Sequence, residues 1–208
     1  MSLFSVDRIL PRTHYMYHES FSLDSSLLSR QENVALKGTA TQSSTYTQSS
    51  HYAGPDSFFA STAIDGGSVA LDQTTADKLY SMAHTHEGDE GSDAWWKLEL
   101  DQDYIISQVI IFNRSDCCSS RIRGFVLEVL DKDDIIVFTQ TDPATYADTD
   151  VDTPLSFVID IDPDKVGKKV RISLPSGSML QLQEVMVFGV VPEVSNQSLT
   201  IESPEYRT

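Results

Sequence analysis

The chain has 208 residues, which is long enough for one domain with a sizeable core and some additional segments. Hydrophobic residues make up 40% and charged residues 22%, and no apolar run approaches the roughly 18 residues that a membrane-spanning helix needs. The net charge of −16 would repel a phosphate-rich partner, so nucleic acid and anionic membranes are poor candidate ligands.

The first 31 residues differ from the rest of the chain. Four serines are interspersed with three leucines between positions 22 and 29, and no long helical stripe forms. We interpret residues 1–31 as an extension, either an arm that wraps the domain or a partly ordered segment. The first five residues lack the basic start and apolar middle of a signal peptide.

The stretch from Thr41 to Asp93 predicts long loops. It is rich in Ser, Thr, Gly, Asp and His, and it lacks the alternation of apolar and polar residues that indicates a strand. In an all-β domain, such loops cluster at one end of the sandwich and carry function. We therefore expect binding residues in this stretch.

Short apolar runs with period-two alternation follow, separated by Gly, Asp, Pro and Ser, and they are typical of β-strands. They lie at residues 96–100, 109–112, 125–129, 135–138, 157–161, 170–174 and 185–188. Many short strands without a convincing amphipathic helix predict an all-β fold, an antiparallel β-sandwich. The periodicity ends after Gly189, so residues 191–208 are predicted to form a tail.

Cys117 and Cys118 are the two cysteines of the sequence, and they lie between Arg114 and Arg121 with Asp116 beside them. This cluster favours a small, polar ligand surface over a place in the core. Neighbouring Cα atoms are about 3.8 Å apart, less than the ~4.4–6.8 Å of typical disulfides, so a bond between these cysteines would hold the turn rigid. The alternative is two reduced thiols, which are common in cytosolic proteins. A zinc site is not expected, because no second cysteine pair completes it.

An ordered series of short blocks runs through the same region. The blocks are Asn33-Val34-Ala35, Ala63-Ile64-Asp65-Gly66, Ser81-Met82-Ala83-His84-Thr85, Trp95-Trp96-Lys97-Leu98-Glu99-Leu100, Arg114-Ser115-Asp116-Cys117-Cys118-Ser119-Ser120-Arg121 and Leu182-Gln183-Glu184-Val185. This series resembles the F-type lectins, the fucose-binding fucolectins, over about residues 32–190. The Arg-x-Asp-Cys-Cys-x-x-Arg block is the most specific part, and the rest is shared with the wider discoidin-like group.

The resemblance implies a jellyroll-like sandwich with a sugar pocket in the loops at one end. Members of the family bind L-fucose through one histidine and two basic residues, and the basic residues fall on Arg114 and Arg121. The family's usual spacing points to Glu87 for the histidine, whereas the local pattern Ser-x-x-His-Thr selects His84. His86 is the reserve candidate.

Other residues are assigned supporting roles by the same resemblance. Asp116 would orient the arginines, and the sulfurs of Cys117 and Cys118 would pack against an apolar edge of the sugar ring. The methyl group of fucose would contact a loop aromatic, for which the sequence offers Tyr46, Tyr52 and Phe58. Fucose is neutral and water competes for its hydroxyls, so we expect millimolar to micromolar affinity, roughly −4 to −8 kcal/mol.

The family pattern also implies a bound calcium ion that braces the loops. Calcium takes carboxylate and carbonyl oxygens, which two carboxylates and several main-chain carbonyls would supply here. The ligands carried over from the family are Thr62, Asp65, Gly67, Ser81, Gln183 and Glu184.

The sequence therefore predicts an extracellular, non-enzymatic lectin whose partners are fucosylated glycans. The alternative is a discoidin-like adhesion module that binds a different glycan, a protein or a lipid. Catalysis is not expected, because the sequence lacks Gly-x-Ser-x-Gly, His-Glu-x-x-His and phosphate-loop motifs. Weak single sites gain avidity by linkage, so we expect a homo-oligomer or a multi-module parent protein. We treat the sequon at Asn113, which overlaps the predicted pocket, as fortuitous.

Overall fold

A computed structural model describes residues 31–47, 58–66, 82–86, 93–144, 153–174 and 179–192. The predicted arm (1–31) and tail (191–208) lie almost wholly outside the described residues. The same is true of Tyr52, Gly67 and Ser81. Within the described parts of the chain, no helix has the length and apolar character needed to cross a membrane.

Nine strands and three short 3₁₀-helices make up the described structure. The strands are β1 (Glu32–Asn33), β2 (Thr39–Gln42), β3 (Ala83–His84), β4 (Ala94–Asn113), β5 (Val126–Leu130), β6 (Ile136–Thr141), β7 (Ser156–Asp160), β8 (Val166–Leu174) and β9 (Gln181–Val190). The 3₁₀-helices are η1 (Val34–Lys37), η2 (Ala60–Ile64) and η3 (Ser119–Ile122). Each described strand pair is antiparallel, so the predicted all-β fold is confirmed.

Strand β4 is the centre of the architecture. The hydrogen-bonded path runs β1-β9-β4-β8-β5-β6, with β2 and β7 also on β4 and β3 on β9. The first half of β4 lies between β2 and β8, and its second half lies between β7 and β9. A register shift against β8 between Glu99 and Tyr104 separates the halves. One strand thereby serves both layers, as in sandwiches whose strands change sheet at a bend.

The prediction of two separate strands at 96–100 and 109–112 is corrected by this arrangement. The residues between them include Asp101, Gln102 and Asp103, which read as a turn in the sequence. In the structure they are exposed residues within the 20-residue strand β4, at the irregularity in its pairing. Exposure of the bend allows polar residues to occupy a continuous strand.

The core consists of the inward-facing residues of the alternating strands. Trp96, Tyr104 and Phe125 are the largest fully buried side chains. Trp96 donates its indole N–H to the carbonyl of Ala60 in η2 at 2.9 Å, which ties this loop helix to the sheet. Phe125 packs edge-to-face on Phe157 with ring centroids 5.0 Å apart. Core contacts thus stabilise the sheet and also fix η2, which contains the predicted calcium ligand Thr62.

Candidate functional site

Three strand ends meet at one end of the sandwich. His84 ends β3 and lies opposite Gln181, the first residue of β9. Asn113 ends β4 and lies opposite Leu182, the next residue of β9. Arg114 follows directly after β4, so the strand pairing brings the predicted histidine and the first predicted arginine to one place.

A disulfide joins Cys117 to Cys118, with Cα atoms 3.8 Å apart. The bonded form is therefore the one present, of the two that the sequence leaves open. Cys118 has a φ of 59°, in the left-handed region that residues with a Cβ rarely adopt. Cys118 precedes η3, and its carbonyl accepts the backbone N–H of Arg121 at 3.1 Å. The linked cysteines turn the chain so that Arg121 returns toward Arg114.

Asn113 braces this turn from within. Its side chain is buried, and its amide nitrogen donates to the carbonyls of Ser119 at 2.9 Å and Pro154 at 3.1 Å. Its amide oxygen accepts the backbone N–H of Arg114 at 2.8 Å. The amide is thus hydrogen-bonded on both sides, which leaves it inaccessible as a glycan acceptor. The Asn113 side chain therefore has a structural role in this turn.

Arg114 forms a two-point ion pair with Asp116. Its Nε lies 2.6 Å from Oδ1 and its Nη2 lies 2.8 Å from Oδ2. Burial alone would raise the pKa of Asp116, but the hydrogen bond and charge of Arg114 outweigh it, and the pKa is lowered. The carboxylate therefore stays ionised and fixes the plane of the guanidinium group. The remaining nitrogen, Nη1, takes no part in this ion pair.

Gln181 is the point on which the predicted sugar-binding groups converge. With its amide oxygen turned toward them, that oxygen lies 3.0 Å from Nη1 of Arg114, 3.0 Å from Nη1 of Arg121 and 2.6 Å from Nε2 of His84. Gln181 is 2% exposed. The family resemblance does not point to this residue. The sequence gives no signal for it, because the burial of Gln181 follows from its pairing with β3.

His84 is held as a neutral ring. Its Nδ1 lies 2.6 Å from the carbonyl of Thr85, an acceptor, so Nδ1 carries the proton. The pKa of His84 is lowered to about 4. Burial is the largest cause, the charges of Arg114 and Arg121 also lower the pKa, and the Thr85 carbonyl opposes them by raising it. At neutral pH, Nε2 therefore presents a lone pair to the convergence point.

Aromatic rings fix the plane of this imidazole. Tyr46 stacks on His84 with centroids 4.4 Å apart and an angle of 18° between the planes. Phe58 meets His84 edge-on at 5.3 Å. His86 is exposed, and its backbone N–H donates to the Ser44 hydroxyl at 2.9 Å. His84, rather than the reserve candidate, is thus the histidine that lies with the arginines.

Glu184 forms a second polar feature, three residues along β9. Its side chain is 1% exposed, and its Oε1 has no hydrogen-bond partner among the described residues. The pKa of Glu184 is raised to about 8, chiefly by burial and also by the nearby charge of Asp65, against the lowering effect of the backbone N–H of Gly66. Asp65 is exposed, whereas Glu184 is a buried carboxyl with an unsatisfied oxygen, which favours a proton or a cation on Glu184.

The other predicted calcium ligands are only partly placed. Asp65 directly follows η2, which contains Thr62, and η2 packs on β9. Gln183 is half-buried, and its amide oxygen accepts the Ser115 hydroxyl at 3.4 Å. Across the described ranges, no three His, Cys, Asp or Glu side chains are grouped closely enough to hold a metal, so a cation here would depend on main-chain oxygens as well.

Comparison with known proteins agrees with this arrangement. Residues 62–172 match the family described as NedA-like, galactose-binding domain. Fucolectin-3 of Anguilla japonica is 43% identical over 97 residues, which cover 45% of this chain and 45% of that protein. Fucolectin-4 of the same eel is 33% identical over 168 residues, covering 78% of this chain and 82% of that protein. The chain belongs to the F-type lectin family.

A solved structure extends the comparison to the fold of this F-type lectin. A fucose binding module of Streptococcus pneumoniae, SpX-3, is 30% identical with a TM-score of 0.57, covering 77% of this chain and 99% of that one. The resemblance predicted from the sequence is confirmed.

The F-type lectin brings together six of its predicted site residues: His84, Arg114, Asp116, Cys117, Cys118 and Arg121. Their contact with a sugar stays a prediction. Of the predicted calcium ligands, Thr62, Asp65, Gln183 and Glu184 lie in described segments around η2 and β9. Gly67 and Ser81 lie outside the described residues.

Proposed function

We propose that this F-type lectin binds terminal L-fucose on glycans and performs no catalysis. The observation that carries the proposal is that Nη1 of Arg114, Nη1 of Arg121 and Nε2 of His84 all lie within hydrogen-bond distance of one position, which the amide oxygen of Gln181 occupies. The relatives named above support it, because they are fucolectins and a fucose binding module.

A sugar hydroxyl suits this point better than other oxygen groups. The two guanidinium nitrogens can only donate, whereas Nε2 of the neutral imidazole can only accept. A hydroxyl oxygen has two lone pairs and one proton, so it can accept from both arginines and donate to His84. A carbonyl or carboxylate oxygen has no proton for His84. The cluster therefore selects a hydroxyl by its hydrogen-bonding pattern.

The charges around the point favour a neutral ligand. Asp116 neutralises Arg114 through its two-point ion pair, which leaves only Arg121 without a carboxylate among its described contacts. The chain as a whole carries a net charge of −16, which repels anions at a distance. A neutral monosaccharide with one axial hydroxyl, such as fucose, meets both conditions.

Competition between monosaccharides tests the proposal. L-Fucose should displace the protein from immobilised fucosylated glycans at millimolar concentration or below. Arg121→Ala should weaken this binding by about ten- to a hundredfold, because one charge-assisted hydrogen bond is lost. Arg171→Ala is the matched control, since Arg171 lies on β8 and contacts Glu128 instead. Equal binding by both variants would contradict the proposal.

Galactose is the second candidate ligand, because the family model that matches residues 62–172 is described as galactose-binding. D-Galactose also carries an axial 4-hydroxyl, but it is of the opposite hand and has a hydroxymethyl group where fucose has a methyl. Displacement by D-galactose at lower concentration than by L-fucose would favour this ligand. We expect the reverse order.

We also propose that Ca²⁺ binds between the end of η2 and β9. The support is Glu184, a buried carboxyl with an unsatisfied oxygen beside Asp65, which is the donor chemistry that a hard cation prefers. The ion would neutralise these carboxylates and tie the loop to the strand. The ligand residues would be Thr62, Asp65, Gly67, Ser81, Gln183 and Glu184.

An extracellular location and a multivalent assembly complete the proposal. The disulfide between Cys117 and Cys118 supports an oxidising compartment. A single fucose site of modest affinity gains from linked copies, so we propose a homo-oligomer or a multi-module parent protein. Light scattering of the purified chain should give a mass above that of one copy. A monomer that binds multivalent glycans tightly would count against an assembly of this chain.

A further inference from the structure

The amide of Gln181 occupies the point at which the proposed function requires a sugar hydroxyl. Its oxygen lies within hydrogen-bond distance of both Nη1 atoms and of Nε2 of His84. Gln181 and His84 lie opposite each other in the β3–β9 pair, so their side chains share one face. Two oxygens cannot occupy the same point, so Gln181 and a ligand hydroxyl exclude each other there.

Neither orientation of the Gln181 amide satisfies its three neighbours. With the oxygen inward, both arginines donate to it, but the lone pair on Nε2 of neutral His84 faces another lone pair. With the nitrogen inward, the amide donates to Nε2 at 2.6 Å but sets its N–H groups against two guanidinium groups. The cluster therefore retains one unfavourable contact in the free protein.

The backbone around Gln181 is held in place, so only its side chain can leave the point. The N–H of the preceding residue, Leu180, donates to the Thr85 hydroxyl at 2.9 Å, and the N–H of Thr85 donates to the Leu180 carbonyl at 3.0 Å. Strand pairing with β3 continues through Leu182. Displacement of Gln181 by a ligand would therefore be a rotation about its side-chain bonds, with the strands on which the three groups depend unmoved.

We propose that Gln181 is an internal competitor for the ligand hydroxyl, and that it sets the affinity of this lectin for its sugar. The free protein satisfies its two arginines with the amide oxygen and keeps the site closed. A sugar hydroxyl displaces the amide, because it alone completes all three hydrogen bonds. This inference rests on the proposed fucose-binding function and adds to it a residue that limits affinity.

Two substitutions at this position should change affinity in opposite directions. Gln181→Ala removes the competing oxygen, so L-fucose should bind about tenfold more tightly. Gln181→Glu places a carboxylate between two guanidinium groups, so the competitor is strengthened and L-fucose should bind at least tenfold more weakly. Isothermal titration with free L-fucose measures both. Gln140→Ala and Gln140→Glu, on strand β6, are matched controls and should bind as the unsubstituted protein does.

If Gln181 merely supported the site, the pattern would differ, because Gln181→Ala and Gln181→Glu would both weaken L-fucose binding. If the unsubstituted protein binds L-fucose and Gln181→Ala binds it equally or more weakly, the inference is overturned while the proposed function stands. If neither the unsubstituted protein nor Gln181→Ala binds L-fucose, the proposed function is overturned and the inference with it. Binding by Gln181→Ala alone would support both. Gln181→Glu is informative even where the alanine variant does not fold.

Discussion

Arg114 and Arg121 carry the same charge but are held in different ways. Arg114 uses two of its nitrogens on Asp116 and offers the third to the convergence point. Arg121 has only the sulfur of Met179, 4.0 Å away, and Gln181 among its described side-chain contacts. The first arginine is therefore pre-oriented, whereas the second owes its direction to η3 and the turn before it.

Asp116→Asn tests this orienting role. An amide can accept from Arg114 but lacks the charge and the second acceptor oxygen, so the guanidinium loses its fixed plane. We expect L-fucose affinity to fall about three- to tenfold with the fold retained. Asp160→Asn is the control, because Asp160 also accepts a side-chain hydrogen bond, from Gln108, but lies on β7. Titration calorimetry that finds no difference between these two variants would show that Asp116 does not act on the arginine.

The pH dependence of binding follows from His84. Its pKa is lowered to about 4, so the ring stays neutral in the folded protein from pH 8 down to about pH 5. L-Fucose affinity should be constant over that range at saturating calcium and should fall as the pH approaches 4, because a protonated Nε2 cannot accept the hydroxyl proton. An inflection near pH 6.5 in the binding titration that persists in His86→Gln would show that His84 titrates like a solvated histidine.

The same shift has a consequence for folding stability. The unfolded chain binds a proton at His84 near pH 6.5, whereas the folded chain resists it until about pH 4. The contribution of this group to stability is therefore fully present above about pH 6.5 and is lost as the pH falls toward 4. The acid sensitivity of binding and that of folding lie in different pH ranges, which allows them to be separated.

At the scale of elements, the turn between β4 and η3 decides whether the second arginine reaches the site. Cys118 holds a left-handed conformation immediately before η3, and the carbonyl of Cys118 receives the Arg121 N–H. A residue with a Cβ disfavours this conformation, whereas glycine adopts it readily. The disulfide to Cys117 is the covalent link that spans this conformation.

Two double variants separate the conformation from the sulfur atoms. Cys117→Ser with Cys118→Ser should weaken L-fucose binding about tenfold or more, because the left-handed residue is no longer held. Cys117→Ser with Cys118→Gly should recover part of that loss, because glycine supplies the conformation without a disulfide. Equal losses in the two variants would mean that the sulfurs themselves contact the ligand, as the family resemblance predicts. Circular dichroism checks that both variants fold.

The strands were predictable from sequence because alternation reports which residues face the core. Val109 and Ile111 are fully buried, and their neighbours on β4 are more exposed. The bend of β4 was not predictable, because exposed Asp101 and Asp103 have the composition of a turn whether or not the strand continues. Likewise Gln181 reads as an ordinary strand residue until β3 is placed opposite it. The local sequence pattern shows which face of a strand is buried, whereas the fold is needed to show which strand lies beside it.

At the scale of the whole molecule, the predicted calcium ion would join parts of the chain that are far apart in sequence. The loop after η2 and the strand β9 meet at Asp65 and Glu184, more than a hundred positions apart. Long polar loops bury little apolar area, so they need another source of order. The chain's net charge of −16 increases the gain from neutralising the buried carboxyl of Glu184 and the exposed one of Asp65.

Thermal unfolding at two pH values tests the ion. The pKa of Glu184 is raised from an ordinary 4.5 to about 8 in the folded protein, so without a cation this group destabilises the fold progressively as the pH rises from about 4.5 to 8. Calcium at a hundred times its dissociation constant stabilises by about 2.7 kcal/mol, which is about 5–10 °C in Tm for a chain of this size. The increase should be larger at pH 8.5 than at pH 6, since a proton no longer competes with the ion.

Glu184→Gln is the variant that decides between calcium and a merely buried acid. The substitution keeps the shape of the side chain but removes the titrating group. The Tm of this variant should therefore not respond to calcium, and it should lack the part of the pH dependence that Glu184 contributes between about pH 4.5 and 8. Glu128→Gln is the control, because Glu128 lies on β5 and pairs with Arg171. A chelator that leaves the Tm of the unsubstituted protein unchanged at pH 8.5, with Glu184→Gln more stable than the parent, would show that Glu184 is held as a protonated acid and that no cation binds between η2 and β9.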